Sequence, residues 1–109
     1  MSLQINVLID NGDDDRARSK CLEELADPLL PWYFRFRYSV VVASLAENIY
    51  DSRRYFEAAT RALEIMEHSH PNSAQLAEMR DRLEDMREVN DEEINAFEAA
   101  TAGAQQAEV

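Results

Sequence analysis

Apolar residues recur at steps of three and four along most of this chain, which is the period of a helix with one buried face. The most apolar stretch is residues 31–50. Drawn as a helix, it carries two apolar stripes: Phe34, Tyr38, Val41, Leu45 and Ile49, and Tyr33, Phe36, Val40 and Ala43. A helix that is apolar on two faces has neighbours on both sides, so we expect this stretch to form the central helix.

Part of the same stretch also has the period of a strand. Residues 34–40 alternate strictly between apolar and polar, residues 3–7 do the same, and these two segments could pair. No turn residue separates Val40 from the helical pattern that follows, which favours a helix. Helix and strand both stay open for residues 3–9 and 34–42.

The first helix is predicted between a turn at residues 10–13 and Pro28, from Asp13 to about Ala26. Aspartates fill its first turn, where the helix dipole favours negative charge. Its predicted apolar face consists of Ala17, Cys21, Leu22 and Leu25.

Beyond the central helix, we predict a tight connection at residues 51–54 and a helix over residues 55–68, which ends before Pro71. The predicted buried face of this helix consists of Tyr55, Ala59, Ala62, Leu63 and Met66. Because Ala59 is small, a neighbouring helix can approach closely there, and we expect Ala59 and Leu63 in one core.

The following helix is predicted to be capped by Asn72 or Ser73. Its narrow apolar seam consists of Leu76, Met79, Leu83 and Met86. Asn90 and Glu93 fit a capping box, which predicts that a short last helix starts there.

Together these elements predict an all-α fold, an antiparallel helix–turn–helix array of about five helices. Only two glycines and three prolines among 109 residues agree with a helical chain. We expect a single domain over residues 1–98 and a disordered tail over residues 99–109.

The net charge of −11 is unevenly distributed. Residues 28–63 hold three acidic and five basic residues, whereas residues 64–109 hold twelve acidic and three basic residues. This balance argues against binding to a phosphate backbone, so we expect no nucleic acid as partner. It leaves open a basic partner, mimicry of a nucleic acid, or solubility alone.

The sequence contains no catalytic signature. It has no glycine-rich phosphate loop, and Gly12 precedes the aspartate triplet instead of lying within it as a calcium loop requires. His68 and His70 lack a third ligand at zinc spacing. We therefore expect no enzyme activity, no cofactor and no metal.

The remaining sequence features concern location. The chain starts without a basic segment followed by a long apolar run, and no run of about 18 apolar residues could span a membrane. Cys21 is the single cysteine and lies on an apolar helical face, which predicts a buried structural thiol and permits a reducing compartment. We expect a soluble cytoplasmic protein.

Two segments of the chain can be aligned as the turns of two repeat units. In residues 9–17 and 51–59 a helix ends, about four residues turn, and a small residue enters the next helix. The first segment has Gly12 at the turn and Ala17 in the following helix.

The second unit carries further residues of this kind. Tyr50 stands near the end of its first helix, Phe56 and Ala59 open its second helix, and residues 71–72 (Pro-Asn) end the unit. These residues resemble the tetratricopeptide repeat family, whose unit is a helix–turn–helix of about 34 residues. The resemblance covers residues 5–89.

This resemblance implies a protein-interaction array whose concave groove is lined by the first helix of each unit. The matching groove positions are Asn6, Asn48 and Arg82. Relatives that clamp a peptide's terminal carboxylate have lysines one turn before such asparagines. Here Ser2 and Ser44 stand at those places.

We therefore expect a non-enzymatic interaction module, an adaptor or chaperone-like protein that binds a peptide or helix of another protein and could also form homo-oligomers. Arg35 and Arg37 are further candidate partner-binding residues. They alternate with aromatic residues, a pattern that can stack nucleic-acid bases, but the surrounding acidity favours core aromatics covered by arginine stems. The alternative is an acidic inhibitor or nucleic-acid mimic, which requires the carboxylates of residues 78–98 on one exposed face.

Overall fold

The computed structural model describes residues 7–107, with side chains through residue 103. Four helices follow one another: α1 (Asp14–Leu25), α2 (Trp32–Leu45), α3 (Ile49–Ser69) and α4 (Ala74–Ala107). Residues 7–10 are also helical, and no strand occurs between residues 7 and 107. The predicted all-α array of about five helices is thus confirmed. Of the two alternatives left open above, helix is correct and strand is wrong for residues 34–42 and 7–9. Residues 3–6 lie outside the described part.

Each helix packs mainly against its neighbours in the sequence, α1 on α2, α2 on α3 and α3 on α4. The connections are short, so neighbouring helices run antiparallel. The buried residues of α2, α3 and α4 form one core: Phe36, Ala43, Phe56, Ala59, Ala62, Leu63, Leu76 and Leu83. A second core joins α1 to α2: Ala17, Cys21, Leu30, Tyr38 and Val42. As predicted, α2 is the central helix and contributes to both cores.

The bounds of α1 agree with the prediction, but its buried face is narrower. Ala17 and Cys21 are fully buried, whereas Leu22, expected in the core, is 38% exposed. Among the described residues α1 packs mainly against α2, with Leu8, Ile9 and Tyr55 also against their shared core, and this contact covers only a narrow stripe of α1.

The predicted connection at residues 51–54 is wrong. Helix α2 ends at Leu45, and α3 already begins at Ile49. The Asn48 side-chain oxygen accepts hydrogen bonds from the backbone N–H groups of Tyr50, at 2.7 Å, and Asp51, at 3.3 Å. An N-cap of this kind satisfies amide groups that have no partner inside the helix.

Helix α4 is longer than predicted. Ser73 caps it, because the Ser73 hydroxyl accepts from the Leu76 N–H at 3.2 Å. No new helix starts at residues 90–93, since Asn90 is buried and its side-chain amide donates to the Ile49 carbonyl at 3.1 Å. The helix continues through residues 99–107, which had been expected in a disordered tail. Residues 108–109 lie outside the described part.

Candidate partner-binding groove

Helices α2 and α4 lie on either side of α3, run in the same direction and leave a groove between them, here called the α2–α4 groove. It consists of two adjoining depressions of about 430 and 550 Å³. Its apolar lining is provided by Tyr33, Phe36, Val40, Ala43, Ala46, Ile49, Phe56, Met79, Met86 and Val89. Val40, Met79 and Met86 are only partly buried, so the groove offers apolar surface to a partner.

The groove is open because α2 and α4 meet each other very little. Each of them packs on α3, and Ala43 and Ser44 are small residues on the side of α2 that faces α4. Methionine is flexible and polarizable, which suits a surface that adapts to a partner.

Two arginines border the groove near the N-terminal ends of α2 and α4. The Arg82 guanidinium contacts the Glu78 carboxylate at 2.9 Å, and both side chains are well exposed. Such an exposed ion pair contributes little to the stability of the fold, so Arg82 can pair with a partner's carboxylate instead. Among the described residues, Arg37 has no carboxylate or carbonyl partner. With Glu78 counted beside Arg37 and Arg82, this end of the groove carries a net charge of +1.

Three carboxylates border the other end: Glu47, Asp85 and Glu93. Glu47 lies 3.9 Å from Arg18, with its own side chain 82% exposed. Within residues 7–103, Asp85 and Glu93 form no ion pair. The two ends of the groove therefore carry opposite charge.

The structure places the predicted site residues in different parts of the molecule. Arg37 and Arg82 come together at the α2–α4 groove. Asn48 caps α3 and lines a separate depression beside Arg18, so it does not share that groove. Asn6 lies outside the described residues.

Arg35 lies away from the groove. Its guanidinium donates hydrogen bonds to the backbone carbonyls of Leu30, at 3.1 Å, Leu25, at 3.4 Å, and Asp27. Carbonyls at the end of a helix lack partners inside it, and Arg35 supplies the missing donors. Its hydrogen bonds therefore fix the connection between α1 and α2. Arg35 therefore has a structural role and is not part of the candidate site.

Six of the nine acidic residues of α4 share its outer face. At 100° per residue, Asp81, Glu84, Asp85, Glu88, Asp91 and Glu92 fall within about a third of a turn, opposite the buried Leu83 and Ile94. All six carboxylates are exposed. The alternative prediction requires the carboxylates of residues 78–98 on one face, and six of these nine lie there, while Glu93 borders the α2–α4 groove.

The single thiol is not a candidate nucleophile. Cys21 is fully buried. Burial, and secondarily the charge of Glu24, raises the pKa of the Cys21 thiol to about 11. The reactive form of cysteine is the thiolate, so this thiol stays protonated and unreactive at neutral pH.

Sequence reasoning missed the acidic end of the groove and the exposure of its lining. Sequence analysis assigned Glu93 to a capping box and Asp85 to the acidic segment, and it assigned Met79 and Met86 to the narrow apolar seam of a helix. The seven-residue spacing of these methionines correctly placed them on one face. These methionines stay partly exposed because α2 and α4 make few contacts with each other. The separation of two helices depends on tertiary packing, so the local sequence pattern could not reveal it.

Neither a membrane-spanning helix nor a metal-binding group occurs in the described part of the chain, and comparison with known proteins gives no match. No described helix has the length and apolar character needed to cross a bilayer. Between residues 7 and 103, no three His, Cys, Asp or Glu side chains are grouped so that they could hold a metal ion. The chain matches no family model, no curated protein and no solved structure.

Proposed function

We propose that this protein is a non-enzymatic interaction module, an adaptor or chaperone-like protein that binds a peptide or helix of another protein in the α2–α4 groove. The observation that carries the proposal is the open apolar lining of the groove, bordered by arginines with exchangeable or no partners. Such a groove suits an apolar segment whose ends carry charge.

The tetratricopeptide-like organisation belongs to this proposal. Helices α2 and α4 line one groove and α3 lies between them, as the first helices of two successive units would be arranged. The register of the aligned repeats differs, because residues 51–54 lie within α3 and Tyr50 lies in its first turn. The proposal therefore depends on the groove and not on the repeat alignment.

The test compares partner capture by two matched double variants. A partner is first identified from the source cell by capture and mass spectrometry, then purified. Arg37→Ala with Arg82→Ala should weaken its binding while leaving the fold intact, because exposed substitutions usually change stability by no more than about 0.5 kcal/mol. The control is Arg16→Ala with Arg61→Ala, which makes the same change in net charge at exposed positions away from the groove. Equal binding by both double variants would contradict the proposal.

A second candidate function is favoured by the exposed acidic face of α4. As an acidic inhibitor or nucleic-acid mimic, the protein would bind a basic partner through Glu84, Asp85, Glu88, Asp91 and Glu92. Replacing all of them except Asp85, which also borders the groove, with Gln and Asn would then abolish capture. Binding of the wild type would also fall steeply with salt, because exposed charges are screened within about 8–10 Å. Capture that survives this neutralisation favours the groove.

We also propose a cytoplasmic location, supported by the free buried thiol of Cys21, which suits a reducing compartment. Fractionation of the source cell tests this, and recovery of the protein outside the cytoplasm would contradict it.

A further inference from the structure

The charges around the α2–α4 groove are sorted along its length. Arg37 and Arg82 lie at one end, where Glu78 pairs with Arg82, and Glu47, Asp85 and Glu93 lie at the other, with apolar side chains between the two ends. An occupant that lies along the groove meets positive charge at one end and negative charge at the other. Complementary charges favour one class of partner and disfavour others by like-charge contact.

From this sorting we infer that the occupant is an amphipathic helix of another protein with an acidic end, an apolar stripe and a basic end. This inference rests on the proposed function and names its partner class. The acidic end lies beside Arg37 and Arg82, and the basic end lies beside Glu47, Asp85 and Glu93.

The dimensions of the groove set the length of this helix. Its lining runs from Tyr33 to Ser44 on α2, about 17 Å at 1.5 Å per residue, and from Gln75 to Glu93 on α4, about 27 Å. A helix of about 15 residues, or four turns, is about 22 Å long and lies between these two lengths. The two walls are parallel helices, and a helix packs between them with its apolar side chains at spacings of three and four residues.

A second copy of this chain does not fit the charge requirement. The exposed face of α4 is acidic from Asp81 to Glu92, so it would bring like charge to the acidic end of the groove. Exposed α1 is acidic in its first turn, but its last turn has no basic residue. A different protein is therefore the better match.

The test uses two synthetic helices of about 15 residues that share an apolar stripe, net charge and composition. In the split probe all glutamates lie at one end and all lysines at the other, whereas in the mixed probe they alternate. Staples on the solvent face give both probes the same helicity. Affinity is measured by fluorescence anisotropy at low and high salt, and sedimentation of the protein alone reports self-association.

The split probe should bind about tenfold more tightly than the mixed probe at low salt, and the ratio should shrink at high salt. Arg37→Glu with Arg82→Glu should remove the preference, while Arg16→Glu with Arg61→Glu, with the same net charge, should keep it. A preference for the split probe that persists in Arg37→Glu with Arg82→Glu would overturn the inference. The inference would also be overturned if the wild type self-associates in sedimentation and this double variant does not, because the occupant would then be a second copy of the chain.

The remaining outcomes separate the inference from the proposed function. Equal binding of both probes, weakened by Arg37→Glu with Arg82→Glu, would overturn the charge-sorted partner and leave the groove as a binding site. No binding by either probe would overturn both.

Discussion

Single polar side chains hold the ends of the helices in this protein. The Arg18 guanidinium donates to the Leu45 carbonyl at 2.8 Å, at the end of α2, and Arg35 does the same for carbonyls at and beyond the end of α1. Asn48 accepts from two amides at the start of α3. Because helix termini leave backbone groups without partners, each of these contacts fixes where a helix stops or starts.

Loss of the Asn48 cap should be measurable. Asn48→Ala should lower the free energy of unfolding by about 1 kcal/mol, because the Tyr50 and Asp51 amides lose their acceptor. Asn48→Asp keeps an acceptor and should lie close to the wild type. Urea unfolding followed by circular dichroism measures both, and equal losses in the two variants would show that the cap is unimportant.

Ala59 tests the packing of the three-helix core. It is fully buried with Leu63 in the core of α2, α3 and α4, as predicted. Ala59→Leu should overpack this contact and cost about 1–3 kcal/mol. Ala77→Leu is the control, because Ala77 is exposed on α4 and should change stability by no more than about 0.5 kcal/mol. Urea midpoints that coincide for both variants would contradict the packing.

At the level of the element, local signals predicted some helices and missed others. Helix α1 and the start of α4 were predicted because several local signals coincide there. Each has a turn or cap before it, acidic or polar residues in its first turn, and apolar residues at steps of three and four. The start of α3 was missed because Asp51 and its arginine neighbours resembled a polar turn, while Asn48 carried the cap. Asn90 resembled a cap but is buried against α3, a contact 41 residues apart that local pattern cannot reveal. The groove was predicted only in part for the same reason, since it depends on the separation of α2 and α4.

One ion pair across elements ties α3 to α4 and should respond to acid. Arg80 donates to the Glu67 carboxylate through Nε at 2.8 Å and also contacts Glu84 at 3.6 Å. The hydrogen bond from Arg80 lowers the pKa of Glu67. A carboxyl with a lowered pKa in the folded state stabilises the fold above its unfolded value, about 4.3, and loses that contribution as pH falls through the folded value.

Glu67→Gln should therefore reduce stability at neutral pH, and the difference from the wild type should shrink as the pH falls below about 4.3. The control is Glu64→Gln, since Glu64 is exposed and makes no ion pair among the described residues. Thermal unfolding across this pH range measures the effect. A Glu67→Gln difference that is constant with pH would contradict the coupling.

At the scale of the whole molecule, the acidic and basic segments of the sequence form different helices. The segment with excess basic residues forms α2 and most of α3, and the acidic segment forms α4, while within the groove Arg82 of α4 lies with Arg37 at one end and Glu47 lies with Asp85 and Glu93 at the other. The array extends 53 Å along its longest axis, because α4 runs on past the other helices. A partner held in the groove contacts α2 and α4 at once, and its apolar stripe covers the exposed parts of the two methionines.

The methionines offer the most direct measurement of this account. The chain contains four of them: Met79 and Met86 line the groove, Met66 lies in the core away from it, and Met1 is outside the described residues. Methyl-labelled protein is titrated with the captured partner, or with the split probe helix, while the methyl resonances are recorded by NMR. The account predicts that the Met79 and Met86 methyl signals shift on binding and that the Met66 signal stays in place. Saturable binding that leaves the Met79 and Met86 signals unchanged would contradict the groove as the binding surface.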